Sequence, residues 1–161
     1  MTELAWFDGE AGSLDHLLGL GDSYRIESLV VAIEGALLAK ATLSPAERVV
    51  VAVEALEREV NNGGYNQFFF NSSSEYVRDI VDCLTAAGCP NAAAITAEAI
   101  AVLNPQPGWT AEDISNAAAD MDESDDERLS ALDERFYEYP DPIAERLFAF
   151  VQDHRGEVSL S

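Results

Sequence analysis

Apolar positions recur along this chain at helical spacing almost from end to end. Ile26, Leu29, Val30, Ile33 and Leu37 share one face, with Glu27 and Glu34 off it. That pattern predicts an amphipathic helix over about residues 24–40, started by Asp22 or Ser23. Ser44, Pro45 and Glu47 combine a capping box with proline at the first helical position, and Val49, Val53, Leu56 and Val60 carry the stripe onward. Glu54 and Arg58, four residues apart, are expected to pair on the outer side of that helix. Asn61, Asn62, Gly63 and Gly64 then break it, because glycine reaches positive φ freely and asparagine tolerates it.

The next stretch reads YNQFFFN, from Tyr65 to Asn71. A fully buried aromatic ring is worth about 1.5–3 kcal/mol, so most of these rings must enter the core. A buried aromatic turn is expected here, the one place where a short strand competes with helix. Ser72 and Glu75 offer another capping box, before a helix through Val77, Ile80, Val81 and Leu84 that ends at Gly88. Pro90 opens the next helix, with Ile95, Ala99 and Val102 inward, and NPQPGW (Asn104 to Trp109) is a turn. Ser124 and Glu127 suggest a further capping box, for a helix that buries Leu129, Leu132 and Phe136. A last helix starts at Asp141 and Pro142, buries Ile143, Leu147, Phe150 and Val151, and stops near Gly156. The fold class is therefore all-α, a single-domain helical bundle of about six to eight helices with a central buried aromatic turn. Residues 1–22 read as an N-terminal extension, 23–104 as motif-bearing helices and 110–156 as acidic C-terminal helices, all within one domain over 1–161.

Composition agrees with a folded chain. With 161 residues and 48% hydrophobic positions, one domain is the default, and a domain near this size buries roughly 70% of the surface its unfolded chain exposes. The N-terminus has no basic stretch followed by an apolar run, and no segment approaches the roughly 20 apolar residues of a membrane span. A cytoplasmic protein with no membrane partner is expected. Cys83 and Cys89 have no second pair or histidine beside them, so they read as reduced structural thiols.

Charge changes the picture more. Thirty Asp and Glu stand against nine Lys and Arg, a net charge of −21. Residues 110–161 carry 15 of those carboxylates against four arginines, so half the excess lies in a third of the length. Such a field repels nucleic acid and anionic membranes and attracts basic partners. Catalytic chemistry is poorly supported: His16 and His154 lie at opposite ends, and neither sits in a nucleophile, metal or phosphate motif. The stretch MDESDDERLSALDE is rich in oxygen ligands, but it lacks the central glycine of a calcium loop. No catalytic residue, metal or cofactor is expected, and the protein is read as a non-enzyme.

The polar cluster beside the helix break is Asn61, Asn62, Tyr65, Asn66, Gln67 and Asn71. Side-chain amides at a helix end commonly satisfy orphan backbone groups of the turn, and that structural role is favoured over a binding loop. Here the sequence also becomes recognisable. The run EREVNNGGYNQFFFNSSSEYV, followed by AAGC and then NAAAITAEAIAVL, resembles a bacterial DNA-mimic protein family over roughly residues 25–150. The residues that carry the resemblance are Asn61, Asn62, Gly63, Gly64, Tyr65, Gln67, Phe69 and Asn71. It implies a helical homodimer whose negative surface occupies the DNA site of a basic DNA-binding protein such as a transcription factor, with no direct nucleic-acid contact.

The densest acidic stretch supplies the expected partner-binding face: Asp120, Asp122, Glu123, Asp125, Asp126, Glu127, Asp133 and Glu134. Asp126 and Asp133, or Glu127 and Glu134, stand seven residues apart, about 10.5 Å along one helix face. Three alternatives stay open at this point. The chain could be an immunity protein or antitoxin against a cationic nuclease, or an enzyme or small-ligand binder using the Asn61 to Asn71 loop. The charge could also serve only solubility or adaptation to strong salt.

Overall fold

The computed structural model describes residues 3–161, and among them every regular element is helical. Eight α-helices follow in order: α1 (Leu14–Leu18), α2 (Ile26–Leu38), α3 (Pro45–Phe70), α4 (Ile80–Ala86), α5 (Pro90–Leu103), α6 (Ala111–Ala119), α7 (Glu123–Tyr137) and α8 (Ile143–Asp153). Short 3₁₀ turns occupy Ser72–Tyr76 and Arg155–Glu157. The all-α bundle of about six to eight helices is thus observed. No helix of the described residues is long and apolar enough to cross a membrane.

α3 is the axis of the molecule. Its neighbours α2, α4, α6, α7 and α8 surround it, so every residue from Val49 to Leu56 is buried, on all faces. A helix covered all round needs apolar residues all round, which is why VVVAV suits this position. Ser44 starts it as expected: its hydroxyl accepts from Glu47 N at 3.1 Å, and Glu47 Oε1 accepts from Ser44 N at 2.8 Å. The same cover overturns the expected outer Glu54–Arg58 pair. Glu54 is only 9% exposed, and Arg58 instead gives Nη1 to both Glu34 oxygens of α2, at 2.9 and 3.1 Å.

Gly63 and Gly64 break α3 as expected, with non-helical backbone at both, and divide it into two helical segments that meet at a kink. Gly64 has φ +79 and ψ −178, a conformation only glycine holds readily, after which the helix resumes through Phe70. The aromatic stretch is therefore a short helical arm, not a turn. Tyr65, Phe68 and Phe69 are fully buried, while Phe70 is exposed.

Several helix starts also differ from expectation. α2 begins at Ile26 without a side-chain cap from Asp22 or Ser23. Ser72 and Glu75 lie in a 3₁₀ turn, tied down by Ser73 Oγ donating to Phe68 O at 2.8 Å. α7 is capped by Asp122, whose carboxylate accepts from Asp125 N at 2.8 Å, so Ser124 and Glu127 fall inside the helix. Asp141 does not cap α8; its Oδ2 accepts from Ala92 N at 2.8 Å and so caps α5. α1 and α6 were not anticipated. α6 starts with a capping box between Thr110 and Asp113, and α1 inserts Leu14 and Leu17 into the core.

Candidate functional site

The NNGG segment and the acidic helix meet at one carboxylate. Because the kink restarts α3, the amide of Tyr65 has no intrahelical acceptor, and Asp133 of α7 supplies one, with Oδ1 2.8 Å from Tyr65 N. The carboxylate lies so close to Gly64 that a Cβ there would stand 2.8 Å from Asp133 Cγ. Burial raises the pKa of Asp133, against the lowering effect of the Tyr65 amide. Asp133 therefore faces inward, and it is not part of the exposed row in which its spacing from Asp126 had placed it.

The other motif side chains also have partners inside the fold. Gln67 Nε2 and Asn71 Nδ2, both beyond the kink, donate to Glu59 Oε2 before it, at 2.7 and 2.9 Å. Asn66 Nδ2 donates to Ala118 O of α6 at 3.1 Å. Asn61 Nδ2 donates to the hydroxyl of Tyr139, a residue held at φ +49, at 2.6 Å. Tyr65 shares a hydrogen bond with Thr96 of α5 at 2.8 Å and packs edge-on to Phe136 of α7, centroids 5.9 Å apart. Phe69 leans on Tyr65 at 6.2 Å. Asn62 is exposed and carries no side-chain hydrogen bond among the described residues. The amides brace the kink and tie it to α6 and α7.

α7 displays its charge away from that junction. At about 100° per residue, Leu129, Leu132 and Phe136 define the buried side. Glu123, Asp126, Glu127, Glu134 and Glu138 fall within about 120° of one another on the outside, and all five are exposed. Glu138, the C-cap, extends the row beyond the residues picked from the sequence; clustering by density overlooked it because it stands alone, four positions past Glu134. Arg128 and Arg135 lie on another flank, lining the groove between α5 and α7, where Arg135 Nη1 meets Glu98 at 2.6 Å. The row spans about 22 Å, with a mean spacing of about 5.6 Å between its five charges. A single strand of B-DNA carries one per about 3.4 Å.

Of the remaining expected residues, Asp120 is exposed at the end of α6, and Asp122 is exposed while capping α7. Asp125 is half-buried, 3.8 Å from Arg128. The eight residues thus divide into six exposed acids and two, Asp125 and Asp133, turned to partners in the fold.

Seven of the nine Lys and Arg residues stand in ion pairs; Lys40–Glu47, at 2.6 Å, is the most enclosed, whereas Arg25–Glu27, Arg135–Glu98 and Arg155–Asp15 lie at the surface. Cys83 and Cys89 are free and buried. Burial, with Asp79 nearby, pushes the Cys83 thiol up to about 11; burial, with Asp141, pushes Cys89 to about 12. Neither is an activated nucleophile.

A sequence model of the DMP19-like protein family matches residues 41–154. The chain belongs to that family. The match runs from just before α3 through α8, and so includes the kink, its Asp133 brace and the acidic row. DMP19-like proteins form a DNA-mimic family, as the NNGG and aromatic motif implied. Searches of curated proteins and of solved structures gave no significant match.

Proposed function

We propose that this DMP19-like protein is itself a DNA mimic: the outer face of α7 occupies the DNA-binding surface of a basic protein, a transcription factor in this reading, and excludes DNA from it. The observation that carries the proposal is the row of five exposed carboxylates on α7, with the arginines of that helix segregated to the α5 side. A surface of one sign is what a phosphate-binding protein recognises, and its long-range field speeds encounter as well as favouring contact. The chemistry is non-covalent and uses no cofactor. The protein acts as a homodimer, the assembly its resemblance implies, so that two acidic rows meet a dimeric repressor with two half-sites.

The test is capture from native cell extract on the immobilised protein, at low and high salt. The variant Glu123→Gln, Asp126→Asn, Glu127→Gln, Glu134→Gln removes four outward charges and touches no hydrogen bond of the fold. The wild type retains a DNA-binding protein that duplex DNA displaces and salt elutes, and the variant does not retain it. Equal retention by the variant refutes the assignment of this face. Recovery of a cationic nuclease in place of a regulator would refute the mimicry reading in favour of immunity.

A further inference from the structure

α2 presents a face that its own fold leaves uncovered. Leu29, Val30, Ile33 and Leu37 point into the core, and Glu34 is turned to Arg58 of α3. Val31, Gly35 and Leu38 stand at i, i+4 and i+7 on the outside, within about 60° of one another around the helix. Val31 is 44% and Leu38 55% exposed, and α2 is the one helix among the described residues to expose two large aliphatic side chains. Exposed apolar groups elsewhere are engaged or stand singly: Arg25 lies over Trp6, and the hydroxyls of Tyr137 and Tyr139 bond to α3.

Gly35 is an independent observation at the same place. It sits in the middle of α2 without a positive φ, and a Cβ built on it would meet nothing of its own chain within 4 Å. Neither backbone conformation nor internal packing calls for glycine here, and glycine weakens a helix interior. What a bare Cα does supply is room for another backbone to come close, in a notch between the two knobs Val31 and Leu38.

Charge decides whose backbone that is. From Ser28 to Ala39 the one ionisable residue is Glu34, held by Arg58, and Glu27 at the N-terminal end pairs with Arg25. A basic partner docked on this strip would bury cations with nothing to pair them. Two copies of this chain, each at −21, repel wherever carboxylates face one another, so an uncharged strip is where they can touch. The strip is also self-complementary. In an antiparallel two-fold crossing at Gly35, Val31 of each copy lies beside Leu38 of the other, because the two residues stand four and three positions either side of the glycine. It shares no residue with the α7 row, so pairing through it consumes none of the mimicry face.

We infer that the outer face of α2 is the self-association surface of this protein, with two copies crossing at Gly35 and Val31 of each packed on Leu38 of the other. The inference rests on the homodimer of the proposed function and locates its interface.

Sedimentation equilibrium of the full chain, at about 50 and about 500 mM salt, tests it. The wild type is a dimer that tightens as salt rises, since screening relieves the repulsion between the copies while apolar contact is kept. Gly35→Ala, whose methyl has free space in the single chain, keeps the circular dichroism spectrum and cooperative melting but weakens the dimer about fivefold or more. Val31→Gln combined with Leu38→Gln, at exposed positions that do not threaten folding, weakens it about 100-fold. A wild type that stays monomeric at about 100 μM overturns the interface and the homodimer together. A dimer that neither substitution weakens, or one that dissociates as salt rises, overturns the interface alone and leaves the homodimer to another face.

Discussion

Gly64→Ala is the sharpest test of how the motif works. At φ +79 and ψ −178, an L-residue carries a backbone cost of about 1–3 kcal/mol. The new Cβ also overlaps the Asp133 carboxylate, which must withdraw from Tyr65 N and give up a charge-assisted hydrogen bond worth about 1.5–3 kcal/mol. Together these predict a loss of about 2.5–6 kcal/mol, or a fall in Tm of about 5–24 °C for a chain of this size. Gly63→Ala is the control. Its φ of −162 is extended, and its Cβ meets the Gln67 side chain alone, whose carboxamide can swing away and whose Cβ, at 3.1 Å, must give by a few tenths of an ångström, so the cost is about 1–2 kcal/mol, chiefly from the lost Gln67–Glu59 bond. A double-mutant cycle with Asp133→Ala separates the two parts of the Gly64 effect. Once the carboxylate is gone, Gly64→Ala adds only its backbone cost, so the two changes are non-additive by about 1.5–3 kcal/mol. Urea unfolding followed by circular dichroism gives all four free energies. A Gly64→Ala protein within about 1 kcal/mol of wild type, or strict additivity in the cycle, would refute the account of the kink.

Burial, with Glu57 and Glu34 adding, raises Glu54 to a pKa of about 8. The folded state thus keeps a proton that the unfolded chain has released, and stability falls as pH rises from about 4.5 to about 8. Between pH 6 and 8, where ordinary carboxylates are ionised in both states, Glu54 accounts for a loss of about 2 kcal/mol; urea midpoints that decline equally in wild type and Glu54→Gln would contradict this. Glu47→Ala strands Lys40 and frees Ser44 N and Ser159 N, costing about 3–5 kcal/mol and removing the exchange protection of the Ser159 amide, both measurable on one sample. Cys83 and Cys89 stay unreactive towards a thiol reagent at pH 7.5 until denaturant is added; labelling of the native protein at the rate of a free thiol would show that their burial is wrong.

Much of the bundle was legible because its signals are local. Ser44, Pro45 and Glu47 mark the start of α3 by adjacency, Pro90 opens α5, and the NPQPGW turn separates α5 from α6. What was missed depends on distant groups or competing local ones. The run from Asp120 to Ser124 offers several N-caps, and only tertiary packing selects Asp122. α6 buries just Ile114 and Ala118, too sparse a stripe to announce a helix. Glu54 reads as an outer residue because acids usually are; its burial follows from α3 being enclosed by five helices, which no window of sequence shows. The helical state of the aromatic arm was available, since Tyr65, Phe68 and Phe69 stand at i, i+3 and i+4. Of the acidic residues, the exposure of Glu123, Asp126, Glu127 and Glu134 follows from their phase against Leu129 and Phe136. The inward role of Asp133 follows only from an amide 68 positions away.

That last contact joins two features the sequence presents as separate. The motif looks like a determinant of the fold and the charge like a determinant of function, yet residues 133, 136 and 137 of α7 all fasten to the kink region. Asp133 caps Tyr65 N, Phe136 packs on the Tyr65 ring, and Tyr137 Oη donates to Val60 O at 2.8 Å. Three attachments within five residues leave α7 no freedom to roll or slide against α3. A flexible acidic tail of equal charge would attract a basic protein equally at long range, but it would lose side-chain and backbone entropy on ordering. On the proposed function, a helix fixed in this way presents its carboxylates already ordered, with that entropy lost at folding rather than at binding. The glycine pair therefore serves the acidic face as well as the core. By leaving Tyr65 N without a partner it creates the site that Asp133 fills, and an otherwise repulsive acidic helix is anchored by one of its own carboxylates.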